Sequence, residues 1–174
     1  NLPAQTTTFL GRDKELKELR AILLGDEARR TDAVGPIETL SRQPGAPDTN
    51  QVTREIVSKN RGARLITLTG PGGCGKTRLA ISLASSVKSF FPGGVWFADL
   101  SDARDEQELC RFVMESLGNQ LRPGKASPAQ QVAWALEQTQ ALLVLDTFEQ
   151  LSRHAHVLSL WLRTAPRLKL LVTS

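Results

Sequence analysis

The sequence predicts an α/β fold, a doubly wound parallel sheet covered on both faces, and three observations carry that prediction. Short apolar, β-branched runs of strand length recur at 65–69, 95–100, 141–146 and 168–174. Stretches with apolar residues at helical spacing lie between them, and a glycine cluster joins the first run to the helix that follows. Strands that alternate with helices pair in parallel, because a helical crossover returns the chain to the end of the sheet at which the previous strand began. Runs that are almost continuously apolar, such as "ALLVLD" at 141–146, suit strands buried on both faces.

Taken in order, residues 12–24, "RDKELKELRAILL", place Leu16, Leu19 and Leu23 on one helical stripe. Residues 25–62 change character: they are rich in Gly, Pro, Asp and Arg and read as a long loop or insertion, with "QVTREIVSKN" as a short helix before Gly62. A loop of that length inside a compact domain is either functional or disordered. The helix after the first strand carries Leu79, Leu83, Val87 and Phe90, and "PGG" at 92–94 breaks it before the second strand. A helix over 103–117 buries Leu109, Phe112, Val113 and Leu117. The next starts at Ser127 as N-cap, with Pro128 in the first helical position and Gln130 completing a capping box, and runs to about 139. The last helix, with Leu151, Leu158 and Leu162, reaches Pro166 before the fourth strand. There are no internal repeats.

Composition narrows the function classes. In 174 residues there are 22 Lys and Arg against 18 Asp and Glu, a net charge of +4. Residues 1–64 hold 11 basic and 9 acidic residues, and residues 65–174 hold the same, so each part contributes +2 and the excess is spread. A nucleic-acid surface calls for a basic stripe with interleaved aromatics, and none is visible, so direct nucleic-acid binding is not expected. No apolar run approaches a membrane span. The start, "NLPAQTTTFL", lacks the basic and apolar regions of a signal peptide. Two cysteines, Cys74 and Cys110, make no disulfide framework and suggest a reducing compartment, the cytoplasm.

The chemistry lies in Gly70-Pro71-Gly72-Gly73-Cys74-Gly75-Lys76-Thr77, four glycines within six residues followed by Lys-Thr, between a strand and a helix. A polyphosphate is large and highly charged. Backbone N–H groups surround it only where no side chain intrudes, hence the glycines. The positive end of the following helix adds to the attraction. Lys76 supplies a point charge to the β- and γ-phosphates, and Thr77 a hydroxyl to Mg²⁺. A glycine-rich turn with a chance Lys-Thr is the alternative, and the flanking strand and helix favour the phosphate site. Asp146, after four apolar residues, either orders Mg²⁺ through its water or caps the next helix; the glycine loop upstream favours the metal. Thr147 stands where many ATPase motors carry a water-polarising glutamate. Glu149, two residues on, either activates water or is a first-turn acid favoured by the helix dipole. Slow or conditional hydrolysis is expected. Cys74 is either a small residue at a variable loop position or a thiol whose modification blocks nucleotide entry.

The ordered set "TFLGRDKEL", "LTGPGGCGKTRLA", "VWFADL", "LLVLDTFEQL" and "LKLLVTS" resembles the nucleotide-binding domain of STAND ATPases. This signal-transduction group of P-loop NTPases (ASCE type) includes NB-ARC proteins and the bacterial AP-ATPases of large LuxR-type and related regulators. The resemblance covers residues 3–24 and 63–174 and omits the insertion. It implies a clamp and helix at 1–24, an insertion at 25–62 and a P-loop core at 63–174. The relatives' strand order is 5-1-4-3-2, of which this chain would supply strands 1 to 4, truncated after the fourth. Phe9, Leu10, Gly11 and Arg12 correspond to a motif that folds over the adenine; read without the resemblance, Phe9 and Leu10 form a hydrophobic staple at a helix start. With Gly70 to Thr77 and Arg78 just beyond, they make the implied nucleotide site, with Lys76, Asp146 and Glu149 as its catalytic candidates and Thr77 and Asp146 as its metal ligands. Thr173 and Ser174 end the strand that faces the γ-phosphate in relatives, or are ordinary strand-end polar residues. The implied function is an ATP/ADP-dependent switch with Mg²⁺ and slow hydrolysis. Its partners would be C-terminal helical modules and the effector or sensor domains of the same protein, with homo-oligomerisation on activation. A non-hydrolysing nucleotide scaffold and a small-molecule P-loop kinase are the alternatives.

Overall fold

A computed structural model describes residues 2–3, 12–25, 62–124 and 126–174. Phe9, Leu10, Gly11, almost all of the 25–62 insertion and the helix expected before Gly62 lie outside the described residues. In chain order the elements are α1 (Asp13–Leu24), β1 (Leu65–Leu68), α2 (Lys76–Ser86), β2 (Val95–Asp99), α3 (Glu106–Ser116), α4 (Pro128–Leu136), β3 (Leu142–Asp146), α5 (Ala155–Thr164) and β4 (Lys169–Thr173). The four strands form one parallel sheet in the order β1-β4-β3-β2. This is the doubly wound α/β fold the sequence predicts, and its order matches strands 1-4-3-2.

Side-chain alternation along the strands sorts the core into two layers. Leu142 and Val144 of β3, Leu171 of β4 and Ile66 and Leu68 of β1 pack with Leu19 and Leu23 of α1 and Leu79 and Leu83 of α2. The alternate residues, Leu143, Leu145, Leu170 and Val172, pack on the other face with α3, α4 and α5, around the buried Leu109, Leu136 and Trp161. By the same alternation, Asp146 and Thr173, the last residues of β3 and β4, stand on the face that carries α2.

Several ends differ from the sequence expectation, each for a local reason. The helix expected from 103 starts at Glu106, because Asp105 is its N-cap and accepts from the Glu108 N–H at 2.9 Å. It ends at Ser116 with Gly118 left-handed (φ 73°). There the Gly118 N–H meets Glu115 O and the Asn119 N–H meets Met114 O, which satisfies the last carbonyls. Ser127 caps α4 as expected, accepting from the Gln130 N–H, but that helix stops at Leu136. Phe90 falls on a separate 3₁₀ turn, Lys88–Phe90. The helix expected after Asp146 opens as a 3₁₀ segment, Phe148–His154, and becomes α-helical only at Ala155. Among the described residues, no helix is long and apolar enough to cross a membrane.

Candidate functional site

The glycine loop leaves β1 and runs into α2, as its flanks require. Gly73 and Gly75 are left-handed, at φ 76° and 89°, where side-chain-bearing residues are strained. A β-carbon placed on Gly72, Gly73 or Gly75 would meet nothing within 4 Å. The glycines therefore face open space, and the loop forms a bare backbone rim at the N-terminus of α2. Lys76 crosses this rim: its Nζ donates to Gly70 O at 2.7 Å and Pro71 O at 3.1 Å. Among the described residues the ammonium rests on these neutral carbonyls of its own loop, so it can turn to an incoming anion.

One residue on, Thr77 Oγ1 lies 2.9 Å from both oxygens of Asp146. The carboxylate is nearly buried, with 6% of its residue surface exposed. Its third contact is Thr173 Oγ1, which donates to Oδ1 at 2.6 Å. Two hydroxyls thus satisfy a buried carboxylate, and no cation stands among these partners. A buried negative charge without a counter-cation is costly, and hard oxygen donors suit a hard divalent ion. Among the described residues no group of three or more His, Cys, Asp and Glu forms a metal cage. An ion such as Mg²⁺ takes few protein ligands and completes its shell with water and phosphate oxygens, so a site for it needs no such cage.

Arg12, the N-cap of α1, reaches the loop from the chain's start. Its guanidinium donates to Cys74 O at 2.8 Å, 62 residues away in sequence. The structure thus joins Arg12 to the glycine loop, while its neighbours Phe9, Leu10 and Gly11 lie outside the described residues. Arg78 and Glu149 are both exposed, Arg78 in the first turn of α2 and Glu149 in that of the 3₁₀ segment. Cys74 is half-buried.

Three features at this site escaped sequence reading. Thr147 is left-handed (φ 62°, ψ 48°), the one non-glycine residue at positive φ among those described. Its N–H donates to Thr173 Oγ1 at 2.9 Å. Nothing in the local sequence signals that conformation. Thr173 meets Asp146 through strand pairing: β3 and β4 pair with Leu145 against Val172, so the next residues, Asp146 and Thr173, come side by side. Asp99 was also passed over. It ends β2 in register with Asp146, and its Oδ1 accepts the Ser101 N–H at 3.0 Å.

A parallel sheet ordered β1-β4-β3-β2, with a glycine loop after β1 and an acid at the end of β3, defines the class as P-loop NTPase. Residues 59–171 match the AAA domain family, and the chain belongs to that family. An uncharacterized protein of Mycobacterium tuberculosis is 35% identical over 126 residues, 72% of this chain and 31% of the relative. A second protein of that organism, named as a candidate HTH-type transcriptional regulator, is 34% identical over 122 residues, 70% of this chain and 13% of its own length. The chain therefore spans a third or less of these curated relatives. In fold it is similar to the Aeropyrum pernix ORC2 protein, solved in ADPNP–ADP complexes, with a TM-score of 0.60 at 16% identity, covering 95% of this chain and 41% of that one.

Proposed function

We propose that this chain is the nucleotide-switch domain of a larger regulatory protein, binding ATP or ADP with Mg²⁺ and hydrolysing ATP slowly. The observation that carries this reading is the link from Thr77 to the buried Asp146 at 2.9 Å, beside a glycine rim that is open to a ligand. Gly70 to Gly75 would cradle the phosphates through their N–H groups, with Lys76 neutralising the β- and γ-phosphates and Arg78 adding charge at the start of α2. Thr77 and Asp146 would hold Mg²⁺, which supplies charge neutralisation to the phosphates when bound. The contact of Arg12 with Cys74 O supports a clamp formed by Phe9, Leu10, Gly11 and Arg12 over the base. The regulator among the relatives supports a switch within a longer protein, and the sequence resemblance supports the STAND class. A conformational switch then requires ATP and ADP to bind its two states with different affinity.

A second reading, a scaffold that binds nucleotide without turnover, is favoured by one observation. Thr147 occupies the position after the acid, and Glu149 lies two residues on, exposed in the first turn of the 3₁₀ segment. Calorimetry with ATP and ADP, with and without Mg²⁺, tests binding, and phosphate release over multiple turnovers separates the two readings. No binding of either nucleotide would sink both.

A further inference from the structure

We propose that Thr173 is a positioning residue for Asp146, setting which carboxylate oxygen faces the metal, and that it is not a reader of the terminal phosphate. The inference rests on the nucleotide reading above but adds a residue and a role to it. The argument follows the protons. The Thr147 N–H can only donate, and it donates to Thr173 Oγ1 at 2.9 Å. The single hydroxyl proton of Thr173 is then free to go to Asp146 Oδ1, at 2.6 Å. A backbone group thus fixes the direction of the chain Thr147 N–H to Thr173 Oγ–H to Asp146 Oδ1.

The two carboxylate oxygens become unequal as a result. Oδ1 accepts from both Thr173 and Thr77, whereas Oδ2 shares only the Thr77 hydroxyl. Oδ2 therefore keeps the open lone pairs, and it is the oxygen presented to a metal or a metal-bound water. Thr173 is 2% exposed, and its hydroxyl is engaged as both donor and acceptor, which leaves it no proton for a phosphate. The same hydroxyl anchors the left-handed Thr147. A strained backbone of this kind persists only where its surroundings hold it. Thr173 thereby also sets the direction in which the segment bearing Glu149 leaves β3.

The test compares Thr173→Val, which keeps the shape and removes the hydroxyl, with Thr173→Ser, which restores it; Thr173→Ala serves as the second variant should the valine protein fail to fold. In the intact protein, the Mg²⁺ concentration for half-maximal nucleotide binding is measured separately with ADP and ATP. Thr173 acts on the metal only through the orientation of Asp146, so part of a hydrogen bond's worth is felt there, and its loss should raise that concentration roughly 5- to 10-fold. The rise should be equal for the two nucleotides, with the serine variant within about twofold of wild type. In the ligand-free protein, amide exchange at Thr147 should quicken in the valine variant and not in the serine variant. On an Asp146→Asn background the valine substitution should add nothing to the Mg²⁺ shift. A wild-type titration in the valine variant, additive effects with Asp146→Asn, or a shift confined to ATP would each overturn the proposal, the last in favour of phosphate sensing. Absence of Mg²⁺-dependent binding in the wild type is a distinct result, which refutes the nucleotide reading and this role with it.

Discussion

At the amino-terminal end of the sheet, just before the strands begin, the long polar side chains are committed to the main chain. Arg64, ahead of β1, donates to Leu162 O at 2.5 Å, Ala165 O at 2.7 Å and Leu168 O at 3.3 Å, tying off the end of α5. Lys169, at the start of β4, donates to Leu23 O in the last turn of α1. Gln140, ahead of β3, donates to Phe90 O at 3.1 Å. At the carboxyl-terminal end the glycines face open space, the Lys76 ammonium rests on its own loop, and a buried carboxylate is held by hydroxyls. Both ends are polar, but their donors differ in use. A cation saturated by the carbonyls of distant elements holds the fold, whereas one resting on neutral groups of its own loop can be recruited by a ligand. Polarity or charge alone would not separate the two.

Mutation at either end should break this contrast in opposite ways. The largest effect is expected from Lys76→Ala, which removes the ammonium facing the phosphates. A charge-assisted contact is worth about 1.5–3 kcal/mol, so nucleotide affinity should fall roughly 10- to 100-fold with little change in melting temperature. Calorimetry and a thermal scan check both halves. Asp146→Asn comes next: nucleotide binding should persist while its Mg²⁺ dependence and any hydrolysis weaken, and a Mg²⁺ titration superimposable on wild type would make Asp146 structural.

Arg64→Met should show the converse pattern. It keeps much of the apolar stem but strips three carbonyls of their donor, and the expected loss of stability is about 2 kcal/mol. Affinity for ATP should stay within about twofold of wild type. Denaturant unfolding of the ligand-free protein reads the first quantity and calorimetry the second; a large change in affinity would show that the two ends are not separable.

Smaller effects are expected from Arg12→Ala and from the thiols. Losing the contact to Cys74 O should weaken nucleotide binding by about 2- to 5-fold, measurable by competition with a fluorescent ADP analogue. The two cysteines should react unequally, half-buried Cys74 before buried Cys110. Bound ADP should slow the labelling of Cys74, and equal rates with and without ADP would remove that thiol from the site. Burial, and then the Glu106 charge, push the Cys110 thiol up to about 12. Its raised value makes the folded state bind a proton that the unfolded state releases near the ordinary thiol range of about 8.5. The contribution of Cys110 is therefore complete below that range and is lost as pH rises toward about 12. Cys110→Ala should flatten the alkaline limb of stability against pH.

The sequence by itself determined the alternation of strands and helices, the glycine loop with Lys76 and Thr77, and the acid at Asp146. These depend on local physics: apolar periodicity, freedom at positive φ, and a carboxylate at the end of an apolar strand. Segment ends were less legible, because caps such as Asp105 and the 3₁₀ opening of Phe148–His154 answer to neighbours as much as to propensity. Apolar patterning does not place β4 between β1 and β3; the family resemblance implies that order, and the tertiary structure shows it. That placement, with the pairing of Leu145 and Val172, sets Thr173 beside Asp146, 27 residues away in the chain. It also joined Arg12 to Cys74 across 62 residues and gave Arg64 to α5 across about a hundred residues. Side-chain parity in a strand can be read from sequence, but the neighbour it meets depends on strand order and register, which many long-range contacts fix together.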